Sequence, residues 1–248
     1  MNSPLRATVL LLLAFFVVPL AASIALHTPT ANPWYQASMA ASGLAPDPGV
    51  VHDAVVQVYA ARAYGWRGAA AVHTWIVVKK AAAPAFTRYD VVGWGGSPVV
   101  RTNYAAPDGL WYDGRPEVLL DRRGPEADAL IDKIDAAVAS YPYADTYLSW
   151  PGPNSNTFIA YIARSVPDLR LDIPANAVGK DYLPITMPVA PAPSGTGVQV
   201  SVLGALGILV AAEEGLEINL LGLSAGVDVA RPALRLPGIG RVGMPKSN

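Results

Sequence analysis

The run ATVLLLLAFFVVPLAASIAL, from Ala7 to Leu26, carries no charged residue and comes directly after Arg6. At about 1.5 Å per residue such a helix is just long enough to cross the hydrocarbon core of a bilayer. The chain beyond Leu26 is therefore expected to be exported, and two readings stay open. Pro19 near the end of the run, with Ala21, Ser23 and Ala25 as small residues for a cleavage site, fits a secretory signal. The full length fits an uncleaved anchor that holds the chain to a membrane.

The sequence holds no cysteine, which removes disulfides, thiolate metal sites, a lipid-modified cysteine and a cysteine nucleophile. An exported domain of this kind must hold together by its core. With 52 % of residues apolar and 15 % charged, the chain has the material for one, and disorder is excluded. Its 18 basic residues face 19 acidic ones without any run of like charge. Nothing here binds nucleic acid by counterion release.

Residues 1–26 are thus the signal or anchor, and residues 27–49, rich in Pro, Ala and Ser, read as a linker. Residues 50–248 then read as a single α+β domain: an antiparallel sheet with two main helices. Three strand-like runs start at Ala54, Ala70 and Phe86, the last two forming a hairpin across AAAPA, and a shorter run, PVVRTNYA, comes next. In GPEADALIDKIDAAVASYP the residues Ala127, Leu130, Ile131, Ile134 and Val138 share one helical face, with Pro125 at the start and Pro142 past the end. A second helix starts near Ser155 and buries Phe158, Ile159, Ile162 and Val166. From Gly197 the chain returns to strand character, with the apolar run Val202 to Ala212 expected as a buried strand. A short tail containing Ser247 closes the chain.

Some motifs lead nowhere. GLSAG, Gly222 to Gly226, matches the nucleophile elbow, yet VDVARPALRLP after it does not open a helix, and all three histidines (His27, His52, His73) precede Ser224. A glycine-supported β-turn is the expected reading. PSGTGVQ lacks the Lys-Ser/Thr ending of a phosphate loop, and HTW has no second metal ligand at strand or helix spacing. No cofactor is implied. Lys180 and Asp181, in VGKDYLP, read as a solvated turn.

What remains is His73 and Ser155. His73 sits within AAVHTWIVVKK, where alternation puts Val72, Thr74, Ile76 and Val78 on one face and His73, Trp75 and Val77 on the other. A histidine in an apolar strand needs a partner for its ring nitrogens. That partner is either a backbone carbonyl or a catalytic group. Ser155 comes after Pro-Asn and opens an apolar-periodic helix, where serine serves as an N-cap. The functional reading joins the two: a hydroxyl at a helix N-terminus, where free N–H groups can hold an oxyanion, beside an imidazole base. Tyr141, Tyr143, Tyr147 and Trp150 crowd the approach to Ser155, either as packing or as the wall of a groove for a sugar or acyl chain.

The segments AAAVHTWIVVKK, YDVVGWG, WPGPNSNTFIAYIAR, GKDYLP, APSGTGVQVSVLGALGI and PALRLPGIGRVG resemble an uncharacterised bacterial family, the domain of unknown function 3750. The resemblance implies no activity. HTW with NSNTF much later in the chain is also similar, more distantly, to permuted papain-like proteins of the lecithin-retinol acyltransferase type. There a strand histidine precedes an N-C-x-x-F motif whose cysteine begins a helix. On that likeness His73 takes the place of the base, Ser155 that of the cysteine, and Phe158 is the first core residue of the helix; Asn154 and Trp75 are binding candidates. The orienting group falls to Tyr89 or Asp90, since strand parity lets only one of them face His73; Asp90 is the catalytic candidate. A serine there needs a full general-base partnership, unlike a thiol. Two function classes are implied: an envelope hydrolase or acyltransferase acting on an amide or ester, with a cell-wall or lipid ligand, or a catalytically inactive papain-like domain with a binding or structural role. The implied location is the bacterial inner membrane facing the periplasm, or the periplasm or medium after signal cleavage. Protein partners are not implied.

Overall fold

The computed structural model describes residues 3–245; Ser247 lies outside the described residues. The uncharged N-terminal run is helical: α1 (Ser3–Leu12), a π-helical turn (Leu13–Val17) and α2 (Val18–Leu26). Together they make one helix, Pro4–Leu26, of 23 residues, long and apolar enough to cross a membrane or to act as a signal.

The first sheet is antiparallel, in the order β4-β3-β2-β1-β5. Its strands are β1 (Val55–Arg62), β2 (Val72–Lys79), β3 (Thr87–Val91), β4 (Val100–Thr102) and β5 (Glu117–Arg123). The β2–β3 hairpin falls where the sequence puts it. Two helices, α3 (Gly124–Ala139) and α4 (Ser155–Ser165), cover one face. Alternation supplies Val56, Val58, Ile76 and Val78 to that face, and they bury Leu130, Ile131 and Ile134 of α3 with Phe158, Ile159 and Ile162 of α4. Each such side chain contributes about 1.5–3 kcal/mol, so Phe158→Ala would cost about 3–5 kcal/mol. Val138 packs only at the rim of this core.

On the opposite face the other parity packs a second core of Val55, Tyr59, Trp75, Val77, Trp111 and Tyr112. The segment 27–49 lies over it. Met39 and Leu44 pack there, Ala41 bridges to Gly109, and Asp108 Oδ2 accepts the N–H groups of Leu44 and Ala45 at 2.5 and 3.1 Å.

After α4 comes a second antiparallel sheet of seven strands, each beside its sequence neighbour. It comprises β6 (Val189–Pro191), β7 (Gly197–Val202), β8 (Leu206–Ala211), β9 (Gly215–Leu220), β10 (Leu223–Asp228), β11 (Ala233–Leu236) and β12 (Gly240–Gly243). Two expectations are corrected here. The run Val202 to Ala212 is not one buried strand: Leu203 and Gly204, at φ +52° and +69°, turn the chain back, and Leu206, Ile208 and Val210 of β8 are exposed while Leu209 is buried. Lys180 and Asp181 are not a solvated turn either, for both are buried. They anchor the second sheet through its polar face. Asp181 accepts from Ser224 Oγ at 2.6 Å, Asn219 Nδ2 at 3.0 Å and Gln199 Nε2 at 2.5 Å. Lys180 Nζ lies 2.5 Å from Glu217 Oε2; Glu217 also pairs with Arg235, which forks onto Asp172 at 2.8 Å. Burial opposes charge on Lys180, but Asp181 and Glu217 outweigh it and raise its pKa. Ser224 is thereby a structural hydroxyl on β10, not the serine of an elbow.

Candidate functional site

The site is built around the first residues of β2. His73 Nε2 lies 2.9 Å from Asp90 Oδ1, so of the two candidates on β3 it is Asp90 that meets the imidazole. Tyr89, on the other parity, donates to Asp135 of α3. Arg88, two residues from Asp90 on the same face, donates from Nε to Asp90 Oδ2 at 2.6 Å and from a terminal nitrogen to Oδ1 at 3.1 Å. The guanidinium also sits 4.2 Å from the centre of the Trp75 ring and donates to the Ala106 carbonyl. Arg88, Asp90 and His73 form a buried chain.

Electrostatics fix the proton positions. Burial alone would raise the Asp90 pKa, but hydrogen bonds from His73 and the charge of Arg88 hold it below the ordinary carboxylate value. For His73, burial pulls the pKa below the ordinary imidazole value; Asp90 opposes this and Arg88 adds to it. A neutral imidazole facing an ionised carboxylate carries its proton on Nε2. Its Nδ1 is left as a lone pair, with no hydrogen-bond partner among the described residues.

Ser155 is the first residue of α4 but not its cap. Asn154 is: its Oδ1 accepts from the N–H groups of Asn156 and Thr157, and Thr157 Oγ1 accepts from the Asn154 N–H in return. Gly179, at φ +102°, lets the chain pass so close that a Cβ there would run into the Asn154 amide. With the capping done by its neighbour, Ser155 has a hydroxyl and a backbone N–H that find no partner among the described residues. Only its carbonyl is engaged, at 3.4 Å from Thr74 Oγ1.

Asn156, which the sequence reading passes over, locks this turn to β2. Its Nδ2 donates to the Val72 carbonyl at 2.9 Å and the Val178 carbonyl at 2.8 Å, and its Oδ1 accepts from Thr74 Oγ1 at 2.9 Å. Val72 and Thr74 flank His73. The first turn of α4 is thus registered against the strand on both sides of the imidazole.

His73, Ser155, Asn154 and Asn156 all line one cavity of about 890 Å³, walled by Trp66, Trp94, Trp111, Tyr147 and Trp150. No hydrogen bond joins Ser155 Oγ to His73. Trp75 does not reach the cavity: it is fully buried, donates to the Pro107 carbonyl at 2.8 Å and supports Arg88 from behind. Tyr141 is likewise core, edge-on to Phe158. Trp111 is another residue that sequence reasoning missed, since it comes from a loop with no periodicity to mark it.

A family model for proteins of unknown function, DUF3750, matches residues 53–182. The chain belongs to that family. The DUF3750 match takes in β1 to β5, α3 and α4, and with them His73, Asp90, Asn154, Ser155 and Asn156; it ends before β6. No curated protein and no solved structure matches the chain.

Proposed function

We propose that this DUF3750 protein is an envelope hydrolase or acyltransferase that uses Ser155 and His73 on an amide or ester. One observation carries the reading: Asp90 holds Nε2 of His73 and leaves Nδ1 without a partner among the described residues, while His73 and Ser155, whose hydroxyl is also unpartnered, line the same cavity. In the reaction Ser155 Oγ attacks the carbonyl carbon of the substrate while His73 Nδ1 takes the hydroxyl proton. The negative charge on the carbonyl oxygen is met by the free N–H at the start of α4. Collapse breaks the bond to the amine or alcohol, which leaves with the proton from His73. Water or an acceptor alcohol, deprotonated by the same imidazole, then releases the acyl group from Ser155. Asp90 stays ionised throughout and keeps the ring oriented.

The missing hydrogen bond between Ser155 and His73 favours a second reading, in which the cavity binds an envelope ligand without turnover. A fluorophosphonate probe separates the two. Under the first reading, mass spectrometry finds the adduct on Ser155, and both Ser155→Ala and His73→Gln abolish labelling. An unlabelled, folded protein would leave the binding role.

A further inference from the structure

The second sheet is turned inside out. Burial alternates along β7 and β9, and the polar row (Gln199, Ser201, Glu217, Asn219, Ser224, Arg235) is buried against the rest of the chain. The aliphatic row faces outward. Cross-strand pairing makes that row continuous: Val200 pairs with Ile208 and Ile208 with Ile218, while Val198 pairs with Val210 and Val210 with Leu216. These rows present no side-chain hydrogen-bonding group. At about 4.8 Å between strands and about 3.3 Å per residue, the face covers on the order of 400 Å², the size at which an apolar patch marks an interaction.

Three features identify the occupant. First, the apolar N-terminal helix already lies over one strand of this face: its turn Leu13–Val17 packs against β10, where Ala225 is 5 % exposed. In the same row Val200, Ile208 and Ile218 are 41, 45 and 48 % exposed. The outward side of that helix, with Leu10, Leu11, Val17 and Val18, is apolar too. Second, the face is purely aliphatic, whereas surfaces made for proteins are enriched in Tyr, Trp, Met and Arg and carry hydrogen bonds across the interface. Third, Trp150 stands at its margin, half exposed, with Nε1 on the Leu221 carbonyl at 2.8 Å, as a tryptophan does at the boundary of lipid and water.

We infer that the outer face of the second sheet seats on the acyl chains of a lipid leaflet, as a membrane contact separate from the N-terminal helix. Leu221 and Leu223, at the end of this face, also line the cavity that holds His73, so the cavity mouth opens beside the leaflet. The inference does not depend on the chemistry proposed for Ser155.

Because the chain has no cysteine, single thiols can be labelled without background. The full chain carrying Ile208→Cys or Val200→Cys is labelled with an environment-sensitive fluorophore and reconstituted in vesicles of phosphatidylethanolamine and phosphatidylglycerol. Asp132→Cys, on the exposed side of α3, is the reference. Lipids bearing a nitroxide on the acyl chain are expected to quench the label at 208 and 200 but not at 132, and aqueous iodide the reverse. Iodide quenching at 208 equal to that at 132 would overturn the inference. So would a label at 208 shielded from iodide yet untouched by the nitroxide lipids, with cross-linking between copies through Ile208→Cys, which would assign the face to a second copy of the chain.

Discussion

The imidazole of His73 lies flat on the indole of Trp111, with ring centroids 3.5 Å apart and planes 8° from parallel. The indole keeps water from one side of a ring whose pKa is lowered chiefly by burial. A folded-state value below the ordinary ~6.5 means that the unfolded chain binds the proton more readily. The stability from a neutral His73 is then complete above about pH 6.5 and is lost as pH falls through the folded value. Trp111→Leu is expected to move the His73 titration up toward ~6.5 and to flatten this acid loss of stability. Imidazole proton resonances, assigned with His73→Gln, read it directly; an unchanged midpoint would show that Trp111 does not set the burial. Asp90 acts in a lower window. Held below its ordinary value, it contributes fully above about pH 3.9 and less as pH falls further.

Ser155 can be tested without any substrate. Ser155→Cys is expected to give a thiol whose pKa falls below the ~8.5 of free cysteine, because the N-terminus of α4 and the nearby imidazole favour the thiolate. Since the chain has no other thiol, alkylation by iodoacetamide against pH reports this group alone. Ser165→Cys, exposed at the far end of the same helix, is expected to titrate at or above the ordinary value. Adding His73→Ala to Ser155→Cys is expected to raise the midpoint again. If it does not, the two residues are not coupled.

Asn156 separates positioning from chemistry. Asn156→Ala would leave the Val72 and Val178 carbonyls and the Thr74 hydroxyl without the bonds they make in a buried place, at a cost of roughly 2–4 kcal/mol. Labelling of Ser155 by the fluorophosphonate is expected to fall even where circular dichroism shows the variant fully folded. Labelling at the wild-type rate in that variant would mean that the register of α4 on β2 is unimportant to the site.

The sequence was informative where periodicity or parity operates. Alternation along β2 separated His73 and Trp75 from Thr74 and Ile76, and the same rule on β3 left only Asp90 or Tyr89 to meet the imidazole; the apolar stripe of α3 was equally plain from Leu130, Ile131 and Ile134. What stayed hidden depended on contacts between distant segments. Asn156 takes its meaning from Val72, Trp111 from His73, and the cap of α4 proved to be Asn154 rather than Ser155. The inverted sheet was hidden for a different reason. Alternation in VQVSV and LEINL shows that one face is polar and the other aliphatic, and burial of the aliphatic face is the default assumption; only the ionic partners of Lys180 and Asp181 reverse it.

Those partners give the last prediction. Lys180 sits between Asp181 and Glu217 in a buried network that also holds Arg235 and Asp172. Lys180→Met would remove the cation and leave the two carboxylates facing each other with one fewer counter-charge, at an expected cost of about 3–5 kcal/mol. Lys180→Met with Glu217→Gln removes an opposite charge as well, and is expected to be less destabilised than the sum of the two single changes by roughly 1–3 kcal/mol. Urea denaturation of the four proteins measures this coupling. Strict additivity would mean that Lys180 and Glu217 do not act on each other, and the polar face of the second sheet would then have to be held by the Arg235 fork and the Asp181 hydrogen bonds alone.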